Sequence, residues 1–205
     1  MAGAARHPQT TTRRREDRRG KIPRARTGDA HGGGTRPTSD RVREAVFNIL
    51  QHGMPDLEIQ GARVIDLFAG TGALGIESLS RGAEYCLLVE QEAEARGVIR
   101  RNIEAFGLTG VTRIYRRDAT DMGPAGNIPP FDLAFLDPPY GKGLGEKALA
   151  SLVGGGWLVR GAAIVLEERA GTHVAWPEGI DVLDERTWGD TTVFFAQFSA
   201  GIVAA

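Results

Sequence analysis

Only one of the 205 residues is cysteine, four are histidine and 7% are aromatic, and each shortage closes off a class of chemistry. A single cysteine excludes an internal disulfide framework. Cys86 stands in the apolar run Tyr85 to Val89 with no activating partner nearby in sequence, so a small buried residue is expected rather than a nucleophile. His7, His31, His52 and His173 are scattered without metal-ligand spacing, and a metal-free protein is expected. No apolar stretch approaches the length of a membrane span, and the N-terminus lacks the apolar segment of a secretory signal. A soluble cytoplasmic protein, working as a monomer, is the expectation.

What is present is ordinary globular composition, 41% hydrophobic and 25% charged, enough for one α/β domain with a proper core. The net charge of −1 conceals an asymmetry. Residues 1–43 hold twelve Lys or Arg against four acids, leaving 13 basic against 22 acidic in the rest. Residues 1–35 read as a basic arm, poor in large apolar side chains and ending near Gly32-Gly33-Gly34. Such a segment buries too little surface to offset its ordering entropy. Its arginines Arg13, Arg14, Arg15, Arg18, Arg19, Arg24 and Arg26 suit a phosphate backbone. Residues 36–205 read as the folded domain.

Order begins with a helix in which Thr38 or Ser39 can cap and Val42, Val46, Ile49 and Leu50 form the apolar stripe. From residue 63 the rhythm is strand, turn, helix. Strands are expected at 63–68, 84–89, 111–115, 131–136 and 162–167, with helices to about 81, over 92–106 and over 144–152. Two last strands, 180–186 and 192–198, are separated by a short turn and must be antiparallel, since a parallel crossover needs many more residues. Apolar runs of five or six alternating with helices indicate a sheet covered on both faces. The expected architecture is α/β: a seven-stranded, mostly parallel sheet with a C-terminal antiparallel hairpin strand, similar to the Rossmann-like fold of class I methyltransferases.

The stretch Asp66-Leu67-Phe68-Ala69-Gly70-Thr71-Gly72-Ala73-Leu74-Gly75 joins the first strand to the first helix of this series. Glycines there let the backbone turn sharply and approach a ligand outside the carboxyl ends of the strands. Glu90 ends the second strand, where a carboxylate can accept both hydroxyls of a ribose; Asp118 follows the third, level with an adenine amino group. Gly70, Gly72 and Gly75 also satisfy the dinucleotide fingerprint, with Glu90 twenty residues beyond Gly70. Asp66 argues against NAD, because a carboxylate there repels a pyrophosphate yet suits a positive amino-acid end and a sulfonium. S-adenosylmethionine is the expected cofactor, with Asp66, Phe68, Ala69, Gly70, Gly72, Glu90, Gln91, Asp118 and Ala119 as its binding residues.

The fourth strand runs into Asp137-Pro138-Pro139-Tyr140. An amino group on a nucleobase is a poor nucleophile, because its lone pair is delocalised into the ring. Acceptors on both of its N–H bonds stabilise the charge that develops during attack. Asp137 supplies one acceptor and a proline carbonyl, that of Pro138 first, the other. Pro138 and Pro139 fix the backbone, and Tyr140 offers a ring face for stacking. This pattern points to amino methylation and leaves adenine, cytosine and guanine open.

The segment Arg36-Pro37-Thr38-Ser39-Asp40-Arg41-Val42-Arg43-Glu44-Ala45-Val46-Phe47-Asn48-Ile49-Leu50 closely resembles the signature helix of the RsmD family of bacterial guanine-N2 methyltransferases. Residues 66–82 and Asp137 to Tyr140 match in the same order, and the resemblance spans about 36–198. It implies methylation of a guanine N2 in the 16S ribosomal RNA of the small subunit. It also implies that Arg36, Pro37 and Thr38 close the pocket around the cofactor's methionine end. The start of the chain departs from the family, whose short apolar strand pair is matched here only by Arg19-Gly20-Lys21-Ile22-Pro23. The rivals are a DNA adenine-N6 or cytosine-N4 methyltransferase, for whose target-recognition region the chain has little room, and an NAD-dependent oxidoreductase built on the glycine fingerprint.

Overall fold

A computed structural model describes residues 37–54 and 57–199; for Pro37, Thr38 and Ser39 only the backbone is described. Arg36 and the seven arginines of the arm lie outside these residues. The elements in order are α1 (Pro37–His52), β1 (Arg63–Leu67), α2 (Ala73–Ser80), β2 (Tyr85–Val89), α3 (Ala93–Ala105), β3 (Thr112–Tyr115), β4 (Phe131–Leu136), α4 (Leu144–Gly154), β5 (Leu158–Arg169), β6 (Ile180–Trp188) and β7 (Thr191–Phe198).

The strands form one sheet in the order β3-β2-β1-β4-β5-β7-β6. The first five are parallel, and β7 is antiparallel to both β5 and β6. Alternate residues face opposite sides, as the pleat requires. Val64, Cys86, Leu88, Leu133 and Phe135 pack under α1, α2 and α3. Ile65, Leu87, Phe131, Ala134 and Ile164 pack under α4 and the segment before β4. Burial on both faces is why the strands read as unbroken apolar runs. The order reverses between β1 and β4, and the crevice outside their carboxyl ends is the ligand position of such sheets.

Three expectations are corrected. Helix α1 starts at Pro37, so Thr38 and Ser39 fall within its first turn rather than ahead of it; proline is favoured at a first helical position. Its buried stripe is Val46, Phe47 and Leu50, with Val42 and Ile49 only half-buried. Phe47 stacks obliquely on Phe135, the ring centroids 5.7 Å apart. It also carries the Arg81 guanidinium 4.6 Å from its centroid, while Arg81 pairs with the buried Glu77 at 2.8 Å. Strand β5 extends four residues earlier than expected and begins by pairing Leu158 with Phe131, before a register shift. Such an irregular start breaks the apolar run that marks the rest of the strand.

Gly154-Gly155-Gly156 has a packing role. A Cβ on Gly155 would lie 2.3 Å from the Gly123 carbonyl oxygen, and Gly156 takes a left-handed φ of 69°. The close approach brings Trp157, fully buried, to donate its indole N–H to that same carbonyl at 2.7 Å. Among the described residues no helix is long and apolar enough to cross a membrane.

Candidate active site

The turn after β1 is held in a strained shape. Phe68 has a φ of 58°, the one left-handed non-glycine among the described residues, followed by Gly70 at 55° and Gly72 at 78°. Left-handed non-glycine residues cost of order 1–3 kcal/mol and concentrate at ligand sites. The turn is fixed from several sides: Gly72 N–H donates to the Ala69 carbonyl at 2.6 Å, and the Asn102 side chain of α3 donates to the Thr71 carbonyl at 3.0 Å. Asn102 is a positioning residue that sequence reasoning missed, one polar side chain on an otherwise apolar helix face.

Glu90 closes this frame. Its Oε2 accepts the Gly70 N–H and its Oε1 the Glu92 N–H, both at 2.8 Å. Each carboxylate oxygen has a second lone pair, so a ribose diol can still be held. Phe68, Gly70 and Glu90 line a cavity of about 670 Å³ together with Asp137, Pro138, Pro139 and Tyr140. The glycine turn after β1, the acid after β2 and the tetrapeptide after β4 therefore meet at one hollow.

Asp66 is not in it. The residue is 2% exposed, and its Oδ2 accepts the Gly75 N–H at 3.0 Å beneath the turn. Burial raises its carboxyl to about 8; the Gly75 bond opposes this, and Asp137 and then Glu90 add to it. Asp66 thus braces the turn from beneath. A Cβ on Gly75 would lie 2.6 Å from Cys86 Sγ and 3.1 Å from Asp66 Oδ2, which is why glycine stands there. Cys86 is buried, its thiol raised well above its usual range by burial and then by Asp66, in keeping with an inert structural residue.

The remaining expected residues do not line the hollow. Asp118 is exposed, with Oδ1 accepting both the hydroxyl and the N–H of Thr120 at 2.7 and 2.8 Å; these two bonds, the hydroxyl's first, lower its pKa. Neither Asp118 nor Ala119 lines the cavity, and Ala119 is buried in the α4-side core. Gln91 is exposed, and its carbonyl accepts an Arg96 guanidinium N–H. Ala69 is buried and donates its N–H to the Val89 carbonyl at 3.1 Å.

Asp137 stands between two cavities. It lines the large one, and it also lines a second of about 330 Å³ on the α1 side. No described residue donates a hydrogen bond to its carboxylate. Asp137 is exposed at the mouths of these cavities, yet the protein crowded around its carboxyl, then the negative charges of Glu167 and Glu168, push it up to about 7. An acid poised near neutrality can accept and release a proton under working conditions. The Tyr140 hydroxyl donates to Glu167 Oε1 at 2.7 Å and lies 2.9 Å from the Thr191 hydroxyl; burial first of all raises its pKa. Glu167 reaches this place because β5 runs parallel to β4 with Leu166 beside Leu136, which sets residues 137 and 167 at the same level.

Comparison with known proteins agrees with this arrangement. The family model described as conserved hypothetical protein 95 matches residues 21–197. The ribosomal RNA small subunit methyltransferase D of Haemophilus influenzae is 34% identical over 158 residues, covering 76% of this chain and 79% of that one. YlbH of Bacillus subtilis is 40% identical over 124 residues. That match spans 60% of this chain and 64% of YlbH, slightly under two thirds of its length. The solved structure of HI0767 from Haemophilus influenzae superposes with a TM-score of 0.68 at 30% identity, over 80% of this chain and 99% of that one. An RNA methyltransferase from Salinibacter ruber, solved with S-adenosyl-L-homocysteine, shares the fold at 13% identity and a TM-score of 0.58, over 80% of this chain and 95% of that one.

Proposed function

Because this chain belongs to the RsmD family, matched by its family model over residues 21–197, we propose that it is an S-adenosylmethionine-dependent methyltransferase of small-subunit 16S ribosomal RNA, acting on the exocyclic N2 of a guanine. The observation that carries the reading is the meeting of Gly70, Glu90 and the Asp137 to Tyr140 tetrapeptide at one hollow of about 670 Å³. The cofactor, when bound, supplies a methyl group on a positively charged sulfonium. Glu90 and the Phe68–Gly72 turn hold it, and Asp118 bounds its adenine end. Thr38 and Pro37, at the start of α1, and Arg36 before them belong to the methionine end in this reading.

Asp137 accepts an N–H of the target amino group and takes its proton, and the Pro138 carbonyl accepts the other N–H. The electron pair freed on nitrogen is thereby stabilised where attack requires it. The base must leave its stack to reach this depth. In this reading the enzyme works as a metal-free monomer in the cytoplasm. The arginines Arg13, Arg14, Arg15, Arg18, Arg19, Arg24 and Arg26 grip phosphates.

Labelled methyl transfer to unmodified small subunits, naked 16S RNA and duplex DNA, followed by nucleoside mass spectrometry, tests the reading. N2-methylguanosine in subunits or RNA is expected; N6-methyladenine or N4-methylcytosine in DNA would overturn the substrate. A chain begun at residue 31 is expected to bind RNA with a flatter salt dependence, the slope of log affinity against log salt falling by roughly 0.7 to 0.9 per lost phosphate contact. An unchanged slope removes the arm from the interface.

A further inference from the structure

The cavity of about 330 Å³ beside Asp137 has no part in holding the ribose end of the cofactor, and its lining is unlike that of the larger hollow. Val42, Val46, Leu74, Val165 and Val193 give it apolar walls, and Trp188, at the end of β6, stands among them. The polar groups are two carboxylates, Asp137 and Glu167, the Thr191 hydroxyl and the Arg43 guanidinium, which is paired with Asp40 at 2.7 Å. Apolar walls with a few convergent polar groups are the make-up of a small-ligand site, and the volume falls at the small end of the usual range of about 300–1,000 Å³. A flat aromatic group fits such walls better than the zwitterionic end of an amino acid, whose carboxylate would face two others while the Arg43 guanidinium is engaged by Asp40.

We propose that this cavity receives the flipped guanine, with Trp188 as a stacking wall and Glu167 as the residue that selects guanine by accepting its N1–H. The inference rests on the guanine-N2 reading above. Guanine presents three N–H donors along one edge, the N1–H and both hydrogens of the amino group. Adenine and cytosine present a ring acceptor beside their amino group, which would face a carboxylate lone pair. Glu167 has the capacity for this: Oε1 accepts the Tyr140 hydroxyl, and Oε2 has no hydrogen bond from any described residue. With Asp137 also free of donors, the cavity offers acceptors for the guanine edge and would leave them unmatched against the other two bases. Setting an acceptor of the wrong base against these acceptors, once the base covers them, is how a hydrogen-bonding site rejects a near-isostere.

The test compares three substitutions on the full chain, measuring kcat/KM with small subunits, product nucleoside by mass spectrometry, and S-adenosylhomocysteine affinity by calorimetry. Glu167→Gln keeps the shape and can still accept the Tyr140 hydroxyl, so folding is preserved. It is expected to lower kcat/KM by about 100-fold, the loss of a charge-assisted hydrogen bond, with cofactor-product affinity unchanged. Trp188→Ala is expected to lose about 10- to 100-fold, with most of it restored in Trp188→Phe. Tyr140→Phe removes the hydroxyl link to Glu167 and is expected to lose clearly less than Glu167→Gln. Equal losses in Tyr140→Phe and Glu167→Gln would mean that Glu167 acts only through Tyr140 and would overturn the proposal. So would wild-type kinetics in Glu167→Gln, or weakened S-adenosylhomocysteine binding in Glu167→Gln or Trp188→Ala, which would give the cavity to the cofactor. The unaltered protein's product decides the underlying reading separately: no N2-methylguanosine from it would remove guanine as the occupant, whatever the variants do.

Discussion

An Asp137→Ala chain is expected to bind S-adenosylhomocysteine as the unaltered protein does while transferring methyl groups at least about 100-fold more slowly, the usual scale for removing one preorganised stabilising group. The separation of the two effects follows from the contacts. No described residue donates a hydrogen bond to the Asp137 carboxylate, and Glu167 and Glu168 repel it, so the alanine breaks nothing that holds the fold. Thermal stability should stay level or rise slightly. Glu90 and the Phe68–Gly72 turn, which frame the cofactor hollow, are untouched. The same residue sets the pH dependence. Its pKa is raised, so Asp137 is protonated and unable to take a proton below about 7. The kcat/KM of the unaltered enzyme should therefore climb with pH through about 7 and level off above it. Asp137→Asn retains one acceptor oxygen but does not titrate, so that acid limb should vanish along with most of the activity. Undiminished transfer by Asp137→Ala would remove the residue from the chemistry.

How much of this was legible beforehand depends on whether a feature is local. Strands β1, β2 and β4 were readable because they are buried on both faces, so each is an apolar run between turn residues. Glu90 and Asp137 were readable because an acid directly after such a run sits at the carboxyl end of the sheet. The bracing role of Asp66 was legible in the period of two. Val64 faces α1, α2 and α3, and two residues later Asp66 shares that face, with Ile65 and Leu67 on the other. Its carboxyl was thus bound to meet α2 rather than the crevice. Glu167 was invisible as a site residue because Val165-Leu166-Glu167-Glu168 reads as a strand fraying into polar sequence. Only the pairing of Leu136 with Leu166 brings it level with Asp137. Trp188 likewise reaches the α1-side cavity through the pairing of β6 with β7, a contact that no local pattern encodes.

The second large effect is expected at Glu90, where replacement by glutamine should weaken S-adenosylhomocysteine binding by about 100-fold, since each hydrogen bond to a charged group contributes about 1.5–3 kcal/mol. The substitution is nearly isosteric, and its harm comes from the pattern of donors. Both carboxylate oxygens already accept main-chain N–H groups, Oε2 from Gly70 and Oε1 from Glu92. An amide has one acceptor oxygen, so in either orientation its NH2 faces one of those N–H groups, donor against donor. If the oxygen stays on Glu92, the Gly70 N–H loses its partner and the strained turn beginning at Phe68 loses its brace. If it stays on Gly70, the start of α3 is released instead. Either way one of the two acceptors meant for the ribose hydroxyls is gone. Calorimetric titration with S-adenosylhomocysteine, alongside a thermal melt, reads both consequences: a large loss of affinity with a small loss of stability. An affinity close to that of the unaltered chain would show that Glu90 only braces the turn, and the ribose would then have to be held elsewhere along the 670 Å³ hollow.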